Sequence, residues 1–205
     1  MRVHKIYPKG FGANTYVLTA DDKRAIVIDP SGKHVESKLL SLGLQAEYVL
    51  LTHCHFDHVI GVAGLQESGA KVGCLDKEKP LIGTAADLFD AFGAPRIPYH
   101  VDFTFSDSEE FELCGIKIKA LATPGHTVGS VCYLVESEGD RYLFSGDTLF
   151  EMSIGRTDFP TGNASELRKS LQKIATFPDM PVYAGHGEDT TIEREKKYNP
   201  FLQDC

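Results

Sequence analysis

The sequence predicts an α/β protein in which two sheets pack together with helices on the outside. The main observation is the order of the elements: short strands open the chain, strands then alternate with helices, and a longer series of strands precedes a late helix. The length and composition agree with this, because 205 residues, 42% of them hydrophobic and 24% charged, suffice for one domain with a full core. We therefore expect a single domain over residues 1–205.

The first part of the chain is expected to form strands and one helix. Runs of β-branched and aromatic residues at Val3–Tyr7, Thr15–Thr19 and Ala25–Ile28 are separated by turn residues, which is typical of antiparallel strands. Apolar residues then recur at helical spacing over His34–Leu42, and Gly43 ends that pattern.

Buried strands and helices alternate in the middle of the chain. Tyr48–Leu51 is continuously apolar, as expected of a strand covered on both faces, and Asp57–Glu67 continues as a helix. Lys71–Leu75 is a further strand, and the helical pattern over Lys77–Phe92 is broken by a proline and a glycine. The remainder is expected to form strands at Phe103–Phe105, Glu110–Leu113, Ile116–Leu121, Val131–Val135, Tyr142–Phe144 and Pro181–Tyr183, and helices at Asn163–Thr176 and Thr190–Tyr198.

Charge and cysteine content argue against several functional classes. The net charge of −8 disfavours binding to nucleic acid or to an anionic membrane, and no run of about 18 consecutive apolar residues is present. Because Lys5, Pro8 and Lys9 interrupt the region where a signal peptide would be apolar, we expect a cytoplasmic protein. The five cysteines are odd in number and never spaced C-x-x-C, which argues against a disulfide framework or a cysteine-only zinc site.

Five of the eight histidines come shortly after the end of an apolar strand, where a turn begins. The small residues and the proline beside them let separate stretches of backbone approach one point, so a shared metal site is expected. Four segments contribute: Val49–Thr52 runs into His53, His55, Asp57 and His58, Ala120–Gly125 into His126, Tyr142–Gly146 into Asp147, and Val182–Gly185 into His186.

Spacing within the first segment separates its donors into two sets. His53 and His55 lie two residues apart, so in extended backbone both project from one face and can bind the same ion, while Cys54 points away. Asp57 and His58 fall at the expected start of the next helix, where they can serve a second ion. Zinc takes about four ligands per site, so two ions also need the donors from the three later segments.

An ordinary structural role for the first segment is a weak alternative. Burying three imidazoles and a carboxylate together without a cation would be costly in free energy. The remaining histidines, His4, His34 and His100, are interpreted as ordinary surface or core residues.

The ordered donors resemble those of the metallo-β-lactamase-fold hydrolases, and the resemblance covers nearly the whole chain. Within that family the chain is most similar to the short glyoxalase II-like proteins, the hydroxyacylglutathione hydrolases. The motifs that carry the resemblance lie at His53–His58, Thr123–Thr127, Ser145–Phe150, Ile154–Phe159, Ala184–Gly187, Thr190–Ile192 and Asn199–Phe201.

The resemblance implies an αββα sandwich of two mixed sheets packed face to face, without the C-terminal helical substrate domain of the longer enzymes. It also implies two divalent metal ions, with zinc as the first choice and iron or manganese as alternatives. The implied ligands are His53, His55 and His126 on one ion, Asp57, His58 and His186 on the other, and Asp147 bridging the two.

The implied activity is hydrolysis of a small-molecule thioester or ester, in which a metal-bound hydroxide attacks the carbonyl. Asp57 is the expected catalytic residue, because it can also orient the water. Arg156 is the candidate for substrate binding, since it matches a lysine near the bound substrate in the longer enzymes, and it can equally pair with Asp158. The oligomeric state stays open.

Other functions remain as alternatives. A persulfide dioxygenase of the same fold shares Gly155–Phe159 but binds a single iron, and its Asp-Tyr-His-Gly run is replaced here by Gly185–Glu188. A metal-stapled scaffold or binding protein is the non-enzyme alternative, but a structural zinc is normally closed by four protein ligands, whereas seven donors on two ions leave positions open. A secreted β-lactamase and a nucleic-acid-cleaving relative are disfavoured by the N-terminal sequence and by the acidic charge.

Overall fold

The first sheet is mixed and has its strands in sequential order. The computed structural model describes residues 1–10, 12–21 and 23–203. Within this part of the chain, the first three strands pair antiparallel and the following ones continue in parallel. The strands are β1 (Arg2–Ile6), β2 (Thr15–Thr19), β3 (Arg24–Ile28), β4 (Gln45–Leu50), β5 (Lys71–Leu75) and β6 (Phe103–Phe105).

The second sheet is also mixed, and a short hairpin accompanies it. The remaining strands are β7 (Glu110–Leu113), β8 (Ile116–Ala122), β9 (Val131–Ser137), β10 (Asp140–Gly146), β11 (Leu149–Phe150), β12 (Ser153–Ile154), β13 (Pro181–Ala184) and β14 (Thr190–Thr191). β11 and β12 form the hairpin, and the others are ordered β14-β13-β10-β9-β8-β7. Only the β10–β13 pair in this described sheet is parallel, so the carboxyl ends of β10 and β13 lie side by side.

The helices lie outside the sheets. They are α1 (His34–Ser41), α2 (Phe56–Val59), α3 (Val62–Glu67), α4 (Phe89–Phe92), α5 (Ala164–Ala175), α6 (Ile192–Tyr198) and α7 (Pro200–Gln203). In α5 the buried residues Leu167, Leu171 and Ile174 recur at helical spacing, and the Asn163 side chain caps the helix by accepting two backbone N–H bonds. Within residues 1–10, 12–21 and 23–203, no helix combines the length and the apolar character that a membrane crossing requires.

A central core joins the facing surfaces of the two sheets. Ile26 and Ile28 of β3 share one buried apolar cluster with Ile118 of β8, Tyr133 of β9 and Phe144 of β10. Burying each such side chain contributes about 1.5–3 kcal/mol to stability. Separate clusters place α1 and α3 against the first sheet and α5 against the second. The expected α/β sandwich of two mixed sheets with helices on the outside is therefore confirmed.

Three predicted helices differ from the observed ones. The helix expected over Thr190–Tyr198 begins only at Ile192, because Thr190 and Thr191 pair with β13 as strand β14. The continuous helix expected over Asp57–Glu67 is divided into α2 and α3, because the N–H of Gly61 bonds to the carbonyl of Pro30 at 2.7 Å instead of extending α2. The Lys77–Phe92 segment forms only short 3₁₀ turns and α4, since Leu88 adopts a left-handed conformation with φ of 66°. The chain here folds over the first sheet in short pieces.

Candidate metal centre

Four loops meet where strands of both sheets end. The loop after β4 brings His53 and His55, and α2 follows directly with Asp57 and His58. Loops after β8, β10 and β13 contribute the other predicted donors, which are His126, Asp147 and His186. Because β10 and β13 are parallel neighbours, their carboxyl ends deliver two of these donors side by side.

All seven predicted ligands come together. Their ligand atoms form three overlapping groups, and within each group the atoms lie within 4.8 Å of one another. The groups are His53, His55 and His126; His53, His58 and Asp147; and Asp57, His58 and His186. The first and third groups match the two ligand sets expected from the sequence, and the ligand roles themselves stay predictions.

Asp147 lies between the two sets. Its Oδ2 atom is 3.5 Å from His126 Nε2 and 3.5 Å from His186 Nε2, while its Oδ1 atom is 3.2 Å from His58 Nε2. The carboxylate thus faces donors of both predicted sites at once. Such a position is what a bridging ligand requires.

Hydrogen bonds on the far side of three rings orient them towards the centre. His58 Nδ1 donates to Asp29 Oδ2 at 2.8 Å, and His126 Nδ1 donates to the backbone carbonyl of Arg156 at 2.7 Å. Thr52 Oγ1 donates to Asp29 Oδ2 at 2.6 Å and lies 3.1 Å from His53 Nδ1, whose N–H it can accept. Fixing Nδ1 in this way leaves Nε2 of each ring as the ligand atom.

Buried polar atoms without partners show that the centre fits a metal ion. Five buried side-chain N or O atoms among the described residues lack a hydrogen-bond partner, and four of them belong to this cluster. Leaving such atoms unpaired in the interior costs about 1–3 kcal/mol each. A cation would satisfy them together. The four atoms are Nε2 of His53, His55 and His58, and Oδ1 of Asp147.

Burial and neighbouring charges prepare the donors for metal binding. Burial lowers the pKa of His55 to about 3 and the pKa of His53 well below its ordinary value, so both rings are neutral. Burial would raise the pKa of Asp147, but His58 and His186 hold it well below the usual range, so this group is anionic. The neutral rings of His53 and His55 and the anionic carboxylate of Asp147 are donors of the kinds that zinc, iron and manganese take in proteins. Burial would lower the pKa values of His58 and His186, but nearby carboxylates, Asp147 above all, raise the pKa of His58 well above its ordinary value and that of His186 to about 9, so a metal ion would displace a proton from each of these two rings.

Two glycines allow the loops to approach this closely. A Cβ atom at Gly185 would collide with Asp147 Oδ1, and one at Gly155 would collide with the Asp147 carbonyl. Any side chain at either position would push the β13 loop or the β12 segment away from Asp147.

Sequence reasoning missed the residues that support the donors. Asp29 is buried and accepts bonds from Thr52 and His58, and Glu78 is buried and accepts the Cys54 N–H at 2.7 Å and the Thr127 hydroxyl at 2.8 Å. Asp29 has a sequence signal, because it directly follows the apolar strand β3 just as Asp147 follows β10. Glu78 has no such signal, since it lies in a segment that the sequence presents as helical.

An open cleft of about 710 Å³ lies over the centre. Its walls include His55, His126 and His186 from the centre, together with apolar side chains from the surrounding loops. Arg156 also lines the cleft and forms a two-point ion pair with Asp158, with N–O distances of 2.7 and 2.6 Å. This hydrogen-bonded pairing lowers the pKa of Asp158 to about 2. The substrate-binding role of Arg156 stays a prediction.

The residues set aside in the sequence do not join the described centre. Cys54 is buried and belongs to none of the three donor groups, as expected from its direction. His100 pairs with Asp102 at 3.1 Å, and His34 lies on α1.

The chain is similar to known proteins in its sequence and in its fold. The sequence model of the metallo-beta-lactamase superfamily matches residues 8–186. Hydroxyacylglutathione hydrolase GloC of Haemophilus influenzae is 34% identical over 210 residues, which cover 98% of this chain and 98% of that protein.

Three solved structures share the fold at a sequence identity of 30% or more. The crystal structure of BLEG-1 B3 metallo-beta-lactamase has a TM-score of 0.90 at 33% identity and covers 98% of this chain and 99% of that one. TTHA1623, solved in a di-iron-bound form, has a TM-score of 0.85 at 31% identity and covers 98% and 100%. ETHE1 from Myxococcus xanthus has a TM-score of 0.77 at 30% identity and covers 98% and 84%. With the superfamily model matching most of its length, the chain belongs to the metallo-β-lactamase superfamily.

Proposed function

We propose that the protein is a dinuclear-metal hydrolase of small-molecule thioesters or esters, of the glyoxalase II type. The observation that carries this proposal is the convergence of seven buried or partly buried donors, four of whose atoms are unpaired, at the floor of an open cleft. A purely structural metal would be enclosed by its protein ligands. Here the side of the centre that faces the cleft is open to water and substrate.

The donor arrangement favours two ions, with His53, His55 and His126 holding one, Asp57, His58 and His186 holding the other, and Asp147 contacting both. When bound, the ions would activate a water molecule and polarise the substrate carbonyl. We propose zinc as the metal, with iron or manganese as alternatives, because imidazole and carboxylate ligands suit all three. The di-iron-bound form in which TTHA1623 was solved supports iron as an alternative metal.

We propose that Asp57 orients the attacking water. Burial would raise its pKa, but His58 and His186 hold the pKa below its ordinary value, so the carboxylate is ionised. Its Oδ2 atom lies 3.3 Å from His186 Nε2. An ionised carboxylate can accept a hydrogen bond from water, which is what this role requires.

The described cleft lacks a free general acid, which favours a thioester over an unactivated ester or amide. Every titratable side chain on its described walls except Arg156 is a proposed metal ligand, and an arginine does not give up its proton. A thiol leaving group has a pKa of about 8.5 and can depart as the thiolate without protonation. The name of GloC as a hydroxyacylglutathione hydrolase supports the same class of substrate.

A mononuclear-iron persulfide dioxygenase is the second candidate, and the likeness to ETHE1 supports it. The donor residues alone do not separate the two candidates, and the hydrolase is favoured because Gly185–Glu188 replaces the Asp-Tyr-His-Gly run of the dioxygenases. Two metal-loaded samples of the same purified protein distinguish the candidates. Protein loaded with zinc is assayed for thiol release from S-lactoylglutathione and from acyl thioesters of simpler thiols, and protein loaded with iron is assayed for oxygen uptake with glutathione persulfide.

We expect thiol release by the zinc-loaded protein and no oxygen uptake above the protein-free rate. Oxygen uptake by protein that holds one iron per chain, without thioester cleavage, would overturn the hydrolase assignment. Neither activity in protein with its metals bound would favour a binding protein.

A further inference from the structure

Aromatic side chains form much of the described cleft wall above the metal centre. Phe56 and Phe92 are stacked with ring centroids 5.0 Å apart, and Phe92 meets Phe159 edge to face at 5.9 Å. Phe150 meets the His186 ring edge to face, with ring centroids 5.8 Å apart. All four rings line the cleft, and Phe92 is 55% exposed. Exposed aromatic surface in a concave site favours an apolar ligand.

The positive charge of Arg156 on the same wall is already paired with a carboxylate of the protein. Arg156 is the only lysine or arginine among the described cleft residues. Its guanidinium pairs with both oxygens of Asp158 and lies 3.9 Å from the centroid of the Phe159 ring. The ion pair and the ring contact hold the guanidinium in place together.

Asp158 occupies the Nε and Nη2 edge of the guanidinium, so a carboxylate on a substrate would have to displace Asp158 or bind through Nη1 to a cation whose charge is already balanced. Asp158 is only two residues from Arg156 in the chain, so it competes at a high effective concentration. A substrate carboxylate would also be repelled by the displaced Asp158. An uncharged apolar group meets neither obstacle and can pack against the phenylalanine rings.

We propose that the cleft selects substrates whose group beside the metal centre is uncharged and apolar, and that Asp158 is the specificity-determining residue because it neutralises Arg156. This inference rests on the proposed hydrolase, whose substrate class it narrows. It places glutathione thioesters, which carry carboxylates, below thioesters of uncharged thiols.

The test compares two ligands that differ in one group. They are the S-phenethyl thioethers of 3-mercaptopropionamide and 3-mercaptopropionate, which cannot be hydrolysed, and their dissociation constants are measured by calorimetry on the metal-loaded protein. The wild-type protein is expected to bind the amide at least about fivefold more tightly. Asp158→Asn is expected to tighten binding of the carboxylate by at least about fivefold and to leave the amide unchanged, because Arg156 is then free to pair with it.

The matched control removes a carboxylate that pairs with a lysine outside the cleft. Glu110 on β7 pairs with Lys119 on β8 at 2.8 Å, and neither residue lines the described cleft. Glu110→Gln removes the carboxylate partner of Lys119 and should leave the ratio of the amide and carboxylate dissociation constants as in wild type. Direct binding of the carboxylate to the ions is common to all three proteins, so the change in ratio reports on Arg156. Tighter binding of the carboxylate by wild type, or the same ratio in Asp158→Asn as in Glu110→Gln, would overturn the inference.

Turnover of the matching thioesters separates this inference from the proposed function. The substrates are the phenylacetyl thioesters of the same two thiols. If neither is cleaved but the thioether binding follows the expected pattern, the hydrolase proposal fails and the cleft preference stands. If both are cleaved and Asp158→Asn does not change the binding ratio, the hydrolase stands and the cleft preference fails.

Discussion

Asp29 Oδ2 accepts a hydrogen bond from His58 Nδ1 at 2.8 Å, and this contact leaves Nε2 as the atom of His58 that faces the donor cluster. The same carboxylate accepts the N–H of Thr52 at 2.8 Å and its hydroxyl at 2.6 Å. Asp29 therefore connects the end of β3 with the end of β4 and with α2. One buried side chain positions donors of both proposed sites.

Asp29→Asn should fold but bind metal weakly. The asparagine oxygen can still accept the Thr52 N–H, and asparagine tolerates the left-handed backbone at this position, where φ is 51°. Its NH₂ group would face His58 Nδ1, so the ring proton would move to Nε2 and block that ligand atom. We expect a 10- to 100-fold loss of metal affinity, on the order seen for residues that orient metal-bound histidines, measured by competition with a chelating dye.

The matched control for Asp29→Asn is Asp140→Asn at the exposed first residue of β10, which should bind metal as wild type does. Unchanged metal affinity of Asp29→Asn would show that the contact with His58 does not set the ring proton.

Asp147→Ala should abolish turnover and lower the metal content. Because this carboxylate contacts donors of both sets, its loss removes a ligand from two ions at once. We expect activity at least about 100-fold below wild type and fewer than two ions per chain, measured by thioester assay and by elemental analysis of the same sample. Activity near the wild-type level would refute the bridging role.

Glu78→Ala should destabilise the fold and weaken metal binding together. Glu78 ties the loop that carries His53 and His55 to the loop after β8, through Cys54 and Thr127. The alanine variant leaves buried donors unpaired and a cavity, which we expect to cost about 2–4 kcal/mol in urea unfolding.

Glu78→Gln provides the control for this position. A glutamine can accept the Cys54 N–H with its oxygen and donate to the Thr127 hydroxyl with its amide, so we expect it to retain most of the stability and metal affinity. Equal losses in the alanine and glutamine variants would mean that these two hydrogen bonds do not connect the loops.

Asp102 should make the free energy of unfolding depend on pH in the acidic range. Burial would raise its pKa, but the Val72 N–H at 2.8 Å, His100 and Gln66 hold the pKa below the ordinary value. A carboxyl with a lowered folded-state pKa stabilises the protein above its unfolded-state pKa of about 3.9, and that contribution is lost as the pH falls through the folded-state pKa. Urea unfolding between pH 6 and about pH 3 should show a smaller loss of stability in Asp102→Asn than in wild type. Identical pH profiles would contradict this.

The convergence of the seven side chains could be predicted from the sequence, and the residues that support them only in part. Each donor segment has a local signal, because an apolar strand ends in a turn that carries histidine or aspartate. Asp29 has the same signal after β3, but its partner His58 is 29 residues away, and only the parallel pairing of β3 with β4 brings them together. Glu78 depends on the course of the chain after β5 and has no local signal. Local periodicity also predicted one continuous helix over Asp57–Glu67, whereas the hydrogen bond from Gly61 to Pro30 separates α2 from α3.

The most direct test of this account is the number of metal ions that one chain binds. Purified protein is stripped with a chelator, titrated with zinc by calorimetry, and its bound metal is measured by elemental analysis. We expect two zinc ions per chain in wild type and fewer in Asp147→Ala. Saturation at one ion per chain, with the same value in Asp147→Ala, would contradict a centre in which seven side chains hold a pair of ions.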